Sequence, residues 1–468
     1  MTARRGAWGT ASMISRSGGP ASLLTVLLLF LGACEGRISD PDPAILSRDA
    51  ELRTMIRGWG AMPIGEMPGQ DPAQVALGRA LFFDRELSGN RDISCATCHH
   101  PNRALGDGRS LPVGTGARED GPERMPGPDR EFVPRTSPSL LNVGLGHRYL
   151  FWDGRVNRFQ GLADSPGPGF PRGLSHPVEV AAMLPVLDRT EMRGEPGDRD
   201  VLGNPNELAE ISDDRPDHVW NALTLRLLAI EGYRDLFQAA FPDTPPGAIG
   251  FQHAARALAA FMKEAFNAVD TPFDRYLDGD DDALTAEQKQ GAELFFDGTR
   301  ARCAACHRGP LLGGDAFANV GAPQVGPGKD REPPLDLGRG ELLDQPFYRF
   351  AFRAPPLRNV ELTAPYMHSG AYRTLEGVVA HYNDVEEAVR NFDPSRLDPA
   401  IRDLYHGDEA TIQALLEHLD GRLRTSPDFS PEEEESLVAF LRSLTDPRAH
   451  DLAHLIPDEV PSGLPVDR

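Results

Sequence analysis

The sequence predicts a mainly α protein made of two related halves with long irregular loops, and three observations predict it. Apolar residues recur at helical spacing across 217–241, 254–266, 411–423 and 431–444, whereas sustained strand alternation is hard to find. A short amphipathic segment occurs twice, as GRALFFD from Gly78 and GAELFFD from Gly291, and each copy precedes a C-x-x-C-H sequence. Gly/Pro-rich stretches at 102–138 and 309–346, too long to be simple connectors, follow both of those sequences.

The first 33 residues read as a leader and are set aside from the fold. Arg4, Arg5 and Arg16 precede the apolar run LLTVLLLFLGA at 23–33, whose 11 residues suit a signal-peptide core and are too few to span a bilayer. The run ends in LGAC, which resembles a bacterial lipobox with Cys34 as the lipid-carrying residue; an ordinary secreted protein with an incidental cysteine is the alternative. Residues 34–70 read as a linker. The formal net charge is −22, which argues against nucleic acid and anionic membrane surfaces as charge-driven partners and favours a basic or dipolar one.

Apart from Cys34, the cysteines are Cys95, Cys98, Cys303 and Cys306, each in a C-x-x-C pair followed at once by His99 or His307. Disulfides, a zinc site and covalent haem c compete for such pairs. Neither zinc nor a redox dithiol needs a histidine directly after both pairs. Haem c does: two thiols add to the porphyrin vinyl groups, and the adjacent imidazole ligates the iron from one side. Two covalently bound haem c groups are therefore expected, one in a domain at 71–270 and one in a domain at 271–446, with 447–468 as a tail. Between the halves, LDGDDDALTAEQ lacks the glycine and glutamate of a calcium loop, carrying Ala283 and Lys289 there; Thr285 and Gln288 instead suit a helix capping box.

Taken in order from about Gly78 to Leu444, GRALFFDRELS, SCATCHHP, FWDGR, the pair Glu191 and Met192, the second C-x-x-C-H and FRAPPLRNVELTAPYMHSG resemble the bacterial di-haem cytochrome c peroxidases, including the MauG branch. The resemblance implies two cytochrome c-like haem domains, the first reacting with hydrogen peroxide and the second relaying electrons. It makes His99 and His307 the proximal iron ligands. Trp152 matches the tryptophan that conducts electrons between the haems, though a packed core indole is the plainer reading. Glu191 matches the distal acid–base, with Pro185 beside it, and Glu179 is a rival. Where the family usually has a glutamine this chain has Ala181, and Gln160 or His176 could substitute. Asn142, Thr363 and Pro365 resemble the holders of an inter-haem calcium.

Tyr382, in VVAHYND, stands where the peroxidase branch has a methionine iron ligand and the MauG branch a tyrosine; Met367 or His381 could ligate instead. An anionic phenolate favours higher oxidation states than a thioether does. No histidine occurs between Asn102 and Leu145, which implies a first haem open to peroxide at rest. The implied activity is hydrogen peroxide reduction with a small cytochrome c or cupredoxin as electron donor, in the periplasm, by a protein lipid-anchored through Cys34 and able to form a homodimer. The alternatives are MauG-like, peroxide-dependent oxidation of residues in a partner protein, and a non-enzymatic di-haem electron carrier.

Overall fold

The computed structural model describes residues 47–468 apart from 66, 120, 122, 158–169 and 330. The leader 1–33, Cys34 and Gln160 lie outside the described residues. The rest is mainly α, as the periodicity predicts, with two-stranded ladders as the strand structure described.

Local chemistry starts each copy of the repeated segment. Asp71 caps the helix Pro72–Phe83, accepting from Ala73 N at 2.9 Å and Gln74 N at 3.0 Å, and Pro72 occupies a first-turn position that needs no N–H. The helix Ala286–Phe296 opens on the expected capping box: Gln288 N donates to Thr285 Oγ1 at 3.2 Å, and Thr285 N donates to Gln288 Oε1 at 2.9 Å.

Each copy packs on one later helix, Pro72–Phe83 on Phe251–Ala265 and Ala286–Phe296 on Pro431–Arg442, and equivalent glycines make both crossings. A Cβ on Gly78 would lie 2.0 Å from the Ala257 carbonyl oxygen, and one on Gly291 would lie 1.9 Å from that of Ser436. Only a residue without a side chain lets the backbones meet there. Phe82 and Phe83 then meet Phe261 at centroid distances of 5.5 and 6.3 Å, while Phe295 and Phe296 meet Phe440 at 5.1 and 5.9 Å.

Two clusters of buried apolar side chains form around these crossings, and the chain ends are exchanged between them. The helix Arg48–Gly58, within the stretch read as a linker, puts Leu52 and Ile56 into the second cluster. Leu452, Leu455 and Val460, in the stretch read as a tail, enter the first. Asp467 accepts hydrogen bonds from Arg85 Nη2 at 2.5 Å, Ser94 Oγ at 2.8 Å and Thr97 Oγ1 at 2.5 Å, so the C-terminal segment pins the start of the first C-x-x-C-H turn.

The ladders frame what lies between the halves. Tyr149–Leu150 pairs antiparallel with Val156–Asn157 around the FWDGR turn, and Phe317–Ala318 pairs with Phe352–Arg353. Arg353 N donates to Trp152 O at 2.7 Å and joins the two hairpins. Among the described residues no helix is long and apolar enough to cross a membrane.

Candidate functional site

Both C-x-x-C-H sequences fold as one tight turn. The helix Cys95–Cys98 ends with His99 N donating to Cys95 O, and the 3-10 turn Cys303–Ala305 leads to His307 N donating to Cys303 O, each at 2.9 Å. That turn puts two thiols and an imidazole on the same wall. The four thiols are unpaired, and burial pushes Cys95 and Cys303 up to about 12 and Cys98 higher still. A redox dithiol needs the opposite shift, because the thiolate is its nucleophile.

The imidazoles are oriented identically. His99 Nδ1 lies 3.1 Å from Leu105 O, and His307 Nδ1 lies 3.2 Å from Leu312 O. A carbonyl can only accept, so Nδ1 carries the proton and Nε2 presents a lone pair. Leu105 and Leu312 both adopt left-handed backbone, φ 60° and 53°, which turns each carbonyl back toward its ring. Burial pushes His99 down to about 4, keeping it neutral, the form in which an imidazole can ligate iron.

A continuous cavity of about 480 Å³ reaches both motifs and is lined also by Trp152, Glu191 and Tyr382. Neutral imidazoles with outward lone pairs, unpaired thiols beside them and unsatisfied polar atoms of His147 and Arg353 in the wall fit one covalently held haem at each motif. When bound, such a group supplies the iron at which peroxide is reduced.

Glu191 sits on a single π-helical turn, Arg189–Arg193. Asp188 caps the turn, accepting from Thr190 N at 2.9 Å and Glu191 N at 3.1 Å, while Thr115 N holds Glu191 O and Gly89 N holds Met192 O. Such turns cluster at functional sites. The carboxylate makes no hydrogen bond among the described residues, and Cys98 lies within its electrostatic reach. Burial, with the like charge of Asp188 second, raises it to about 7 against the pull of Arg155, Lys329 and Arg135.

Glu179, the rival, is occupied elsewhere. Its carboxylate accepts from Ser175 N at 2.5 Å and His176 N at 3.2 Å, closing a capping box for the helix Pro177–Ala181, and it is absent from the cavity wall. His176 spends Nδ1 on Val178 N in the same cap. Ala181 and Pro185 do line the cavity. The cationic groups that act on Glu191 are instead Arg135, Arg155 and Lys329: Arg155 belongs to FWDGR, and the other two come from the long Gly/Pro-rich stretches that follow the C-x-x-C-H sequences. The length of its loop was the signal for Lys329, but nothing in the sequence names the residue, because it reaches the site from the other half.

Trp152 stands where the halves meet: its Nε1–H donates to Thr136 O at 2.9 Å, while its carbonyl takes Arg353 N. Arg135 braces the same turn, donating to Asp153 at 2.6 Å and to both oxygens of Asp336 at 2.6 and 2.7 Å. Tyr382 lies on the cavity wall within electrostatic reach of Cys306 and Cys303, with no hydrogen bond to its hydroxyl among the described residues; burial pushes that hydroxyl up. Its neighbour His381 is committed, with Tyr372 Oη 2.8 Å from Nδ1 and Val320 O 2.7 Å from Nε2. Met367 also reaches the wall.

Asn142, expected beside a calcium with Thr363 and Pro365, closes on backbone instead. Its Oδ1 accepts Ala268 N and its Nδ2 donates to Ala268 O, both at 2.9 Å, and it lies off the wall that Thr363 and Pro365 line. Asn359 is its counterpart in the other half: both residues are left-handed, at φ 60° and 64°, and Asn359 Nδ2 donates to the same Ala268 carbonyl at 2.9 Å. The sequence carried this signal as a second internal repeat, SLLNV against PLRNV. Among the described residues no group of three or more His, Cys, Asp or Glu is placed to hold a metal ion.

Residues 72–282 match the model of a family described as di-haem cytochrome c peroxidase. The methylamine utilization protein MauG of Methylorubrum extorquens is 32% identical over 351 residues, covering 75% of this chain and 79% of that protein. Cytochrome c551 peroxidase of Pseudomonas aeruginosa is also 32% identical, covering 73% and 78%. The crystal structure of a MauG-like protein associated with microbial copper homeostasis superposes with a TM-score of 0.56 at 26% identity, covering 84% of this chain and 95% of that one.

Proposed function

We propose for this chain, which belongs to the di-haem cytochrome c peroxidase family, an assignment of individual roles within the family's activity. The protein is an oxidoreductase that reduces hydrogen peroxide with electrons relayed between two haem c groups. Glu191 carries the assignment. It is the carboxylate in the cavity wall near Cys98 that is enclosed, free of hydrogen bonds among the described residues, and held near neutrality. A group poised there accepts a proton from the inner oxygen of peroxide and returns it to the outer one, which leaves as water. Two electrons and two protons convert each peroxide to two waters.

Trp152 is assigned the passage between the halves, since its indole is bonded to Thr136 and its backbone to Arg353. Cys95, Cys98, Cys303 and Cys306 hold the porphyrins, and His99 and His307 each offer Nε2 to iron. Tyr382 is assigned as the second ligand at the His307 site, an oxygen donor beside the imidazole nitrogen. Its position favours a second reading, the MauG-like oxidation of residues in a partner protein, because an anionic oxygen ligand stabilises oxidised iron. A calcium held by Asn142, Thr363 and Pro365 rests on the family resemblance, with Asn142 Oδ1 already accepting Ala268 N. A small electron-donor protein with a basic face suits the net charge of −22. Export to the periplasm, a lipid anchor at Cys34 and a homodimer rest on the sequence and the family resemblance.

Carbon monoxide binding to the reduced protein tests the assignment. One equivalent bound for every two haems, together with turnover using a reduced small cytochrome c or cupredoxin, supports a peroxidase with one open iron. Zero equivalents would leave a di-haem electron carrier.

A further inference from the structure

Among the described residues, two buried polar atoms that lie close together in the cavity wall lack partners. His147 donates Nε2–H to Asn142 O at 2.9 Å, and its Nδ1 is buried without a hydrogen bond. Arg353 donates Nε–H to Phe151 O at 3.0 Å, and its Nη1 is likewise buried and unbonded. The residues are 7% and 6% exposed.

Both atoms face one niche. A Cβ added to Gly314 would lie 3.7 Å from His147 Nδ1 and 4.0 Å from Arg353 Nη1. Gly314 adopts φ +100°, where any side chain is strained, and its N–H is tied to Ala354 O at 2.8 Å. The loop after His307 therefore keeps the niche open with bare backbone.

The niche calls for an anion. A guanidinium this deep is costly without a counter-charge. The carboxylate that acts on Arg353, Asp153, is already shared by Arg135 Nη1 and Arg155 Nη2, both at 2.6 Å. Two acceptor oxygens close together would satisfy Arg353 Nη1 with one oxygen and meet His147 Nδ1 with the other, a proton lying between imidazole and acid. The haems assigned to this cavity bring such groups as their propionates. The wall segment itself points to one of them, because Arg353 lies two residues before Pro355, whose carbonyl, like that of Leu312, takes the His307 ring.

We propose that Arg353 and His147 form a carboxylate clamp for a propionate of the haem held by Cys303, Cys306 and His307. The clamp rests on the two-haem assignment and adds a consequence to it. His147 comes from the first half, Arg353 from the second, and Arg353 N is bonded to Trp152 O. The clamp thus ties the edge of the relay haem to the turn that carries Trp152. Its positive charge favours the reduced state of that haem and opposes the effect of Tyr382 oxygen.

Spectroelectrochemical titration of holoprotein variants tests the clamp, with carbon monoxide marking the first haem so that the two are read separately. In Arg353→Met the ratio of reduced to oxidised second haem at fixed poise falls about tenfold, a shift of about 59 mV for one electron. Arg353→Lys, which keeps the charge, stays within about threefold of the parent, and His147→Phe moves the ratio in the same direction as Arg353→Met. An unchanged ratio in Arg353→Met means that the niche holds water alone and overturns the proposal. Arg353→Lys moving as far as Arg353→Met overturns it too, as does a shift confined to the first haem. Failure of the two-haem assignment shows separately, as a parent chain that does not retain two haems on a denaturing gel.

Discussion

Replacing Glu191 with Gln removes the cavity-wall carboxylate held at about 7 while preserving its volume. The carboxyl is held up at about 7 by burial first and Asp188 second, so at pH 7 about half of it is available as base. Glutamine cannot accept a proton, and general acid–base catalysis typically supplies 10²–10⁴-fold, about 2.7–5.4 kcal/mol of barrier. The second-order rate of peroxide reduction should therefore fall by at least about 100-fold at pH 7. In the parent, kcat/KM rises with pH through about 7 as the carboxylate ionises, so the rate drops about tenfold per pH unit below that. The neighbours give the sign a second test. Asp188→Asn removes the like charge and moves the acid limb to lower pH, while keeping a side chain able to cap the turn. Lys329→Met removes an opposing cation and moves the limb to higher pH. Stopped-flow measurement between pH 5 and 8 reads all four proteins. A Glu191→Gln rate within threefold of the parent, or limbs that move together in the two neighbour variants, would refute the reasoning.

Tyr382→Met exchanges an anionic oxygen for a thioether and should raise the potential of the second haem without changing carbon monoxide binding at the first; equal potentials would remove Tyr382 from the iron. Trp152→Phe loses the bond to Thr136 O and should slow transfer between the haems more than about tenfold, with peroxide binding to the first nearly unchanged, as read by single-turnover absorbance. Gly291→Ala forces a Cβ to 1.9 Å from Ser436 O, an overpacking that costs about 1–3 kcal/mol or more and lowers the thermal midpoint by several degrees. Asp467→Ala takes the acceptor from the Ser94 and Thr97 hydroxyls, at about 1–3 kcal/mol for a buried donor left without one, so calorimetry should register a loss from the C-terminal segment alone.

Sequence reasoning reached furthest where the chemistry is local. Thr285 and Gln288 cap a helix because three residues separate them, and the duplicated glycine before each LFFD pair marks a crossing that both halves repeat. It fell short where a residue's partner is distant. Nothing near Asn142 in the sequence says that its amide closes on Ala268, 126 positions away. Helix Arg48–Gly58 and the segment around Leu455 looked like linker and tail because a short apolar stretch does not say which core will bury it.

The sequence by itself carried both C-x-x-C-H signatures proposed to attach porphyrin, since thioether bonds and a proximal imidazole need only five consecutive residues, and it determined the helices that flank them. Only the tertiary structure set Glu179 into a helix cap and Glu191 into the cavity wall, or brought Lys329, Arg135, His147 and Arg353 to the cavity. A carboxylate's proton affinity depends on the water it loses and the charges that surround it through space, and neither is encoded by its neighbours along the chain. Glu179 became a cap because Ser175 N and His176 N were within reach, whereas Glu191, twelve residues on, met an enclosed wall and kept its oxygens unspent.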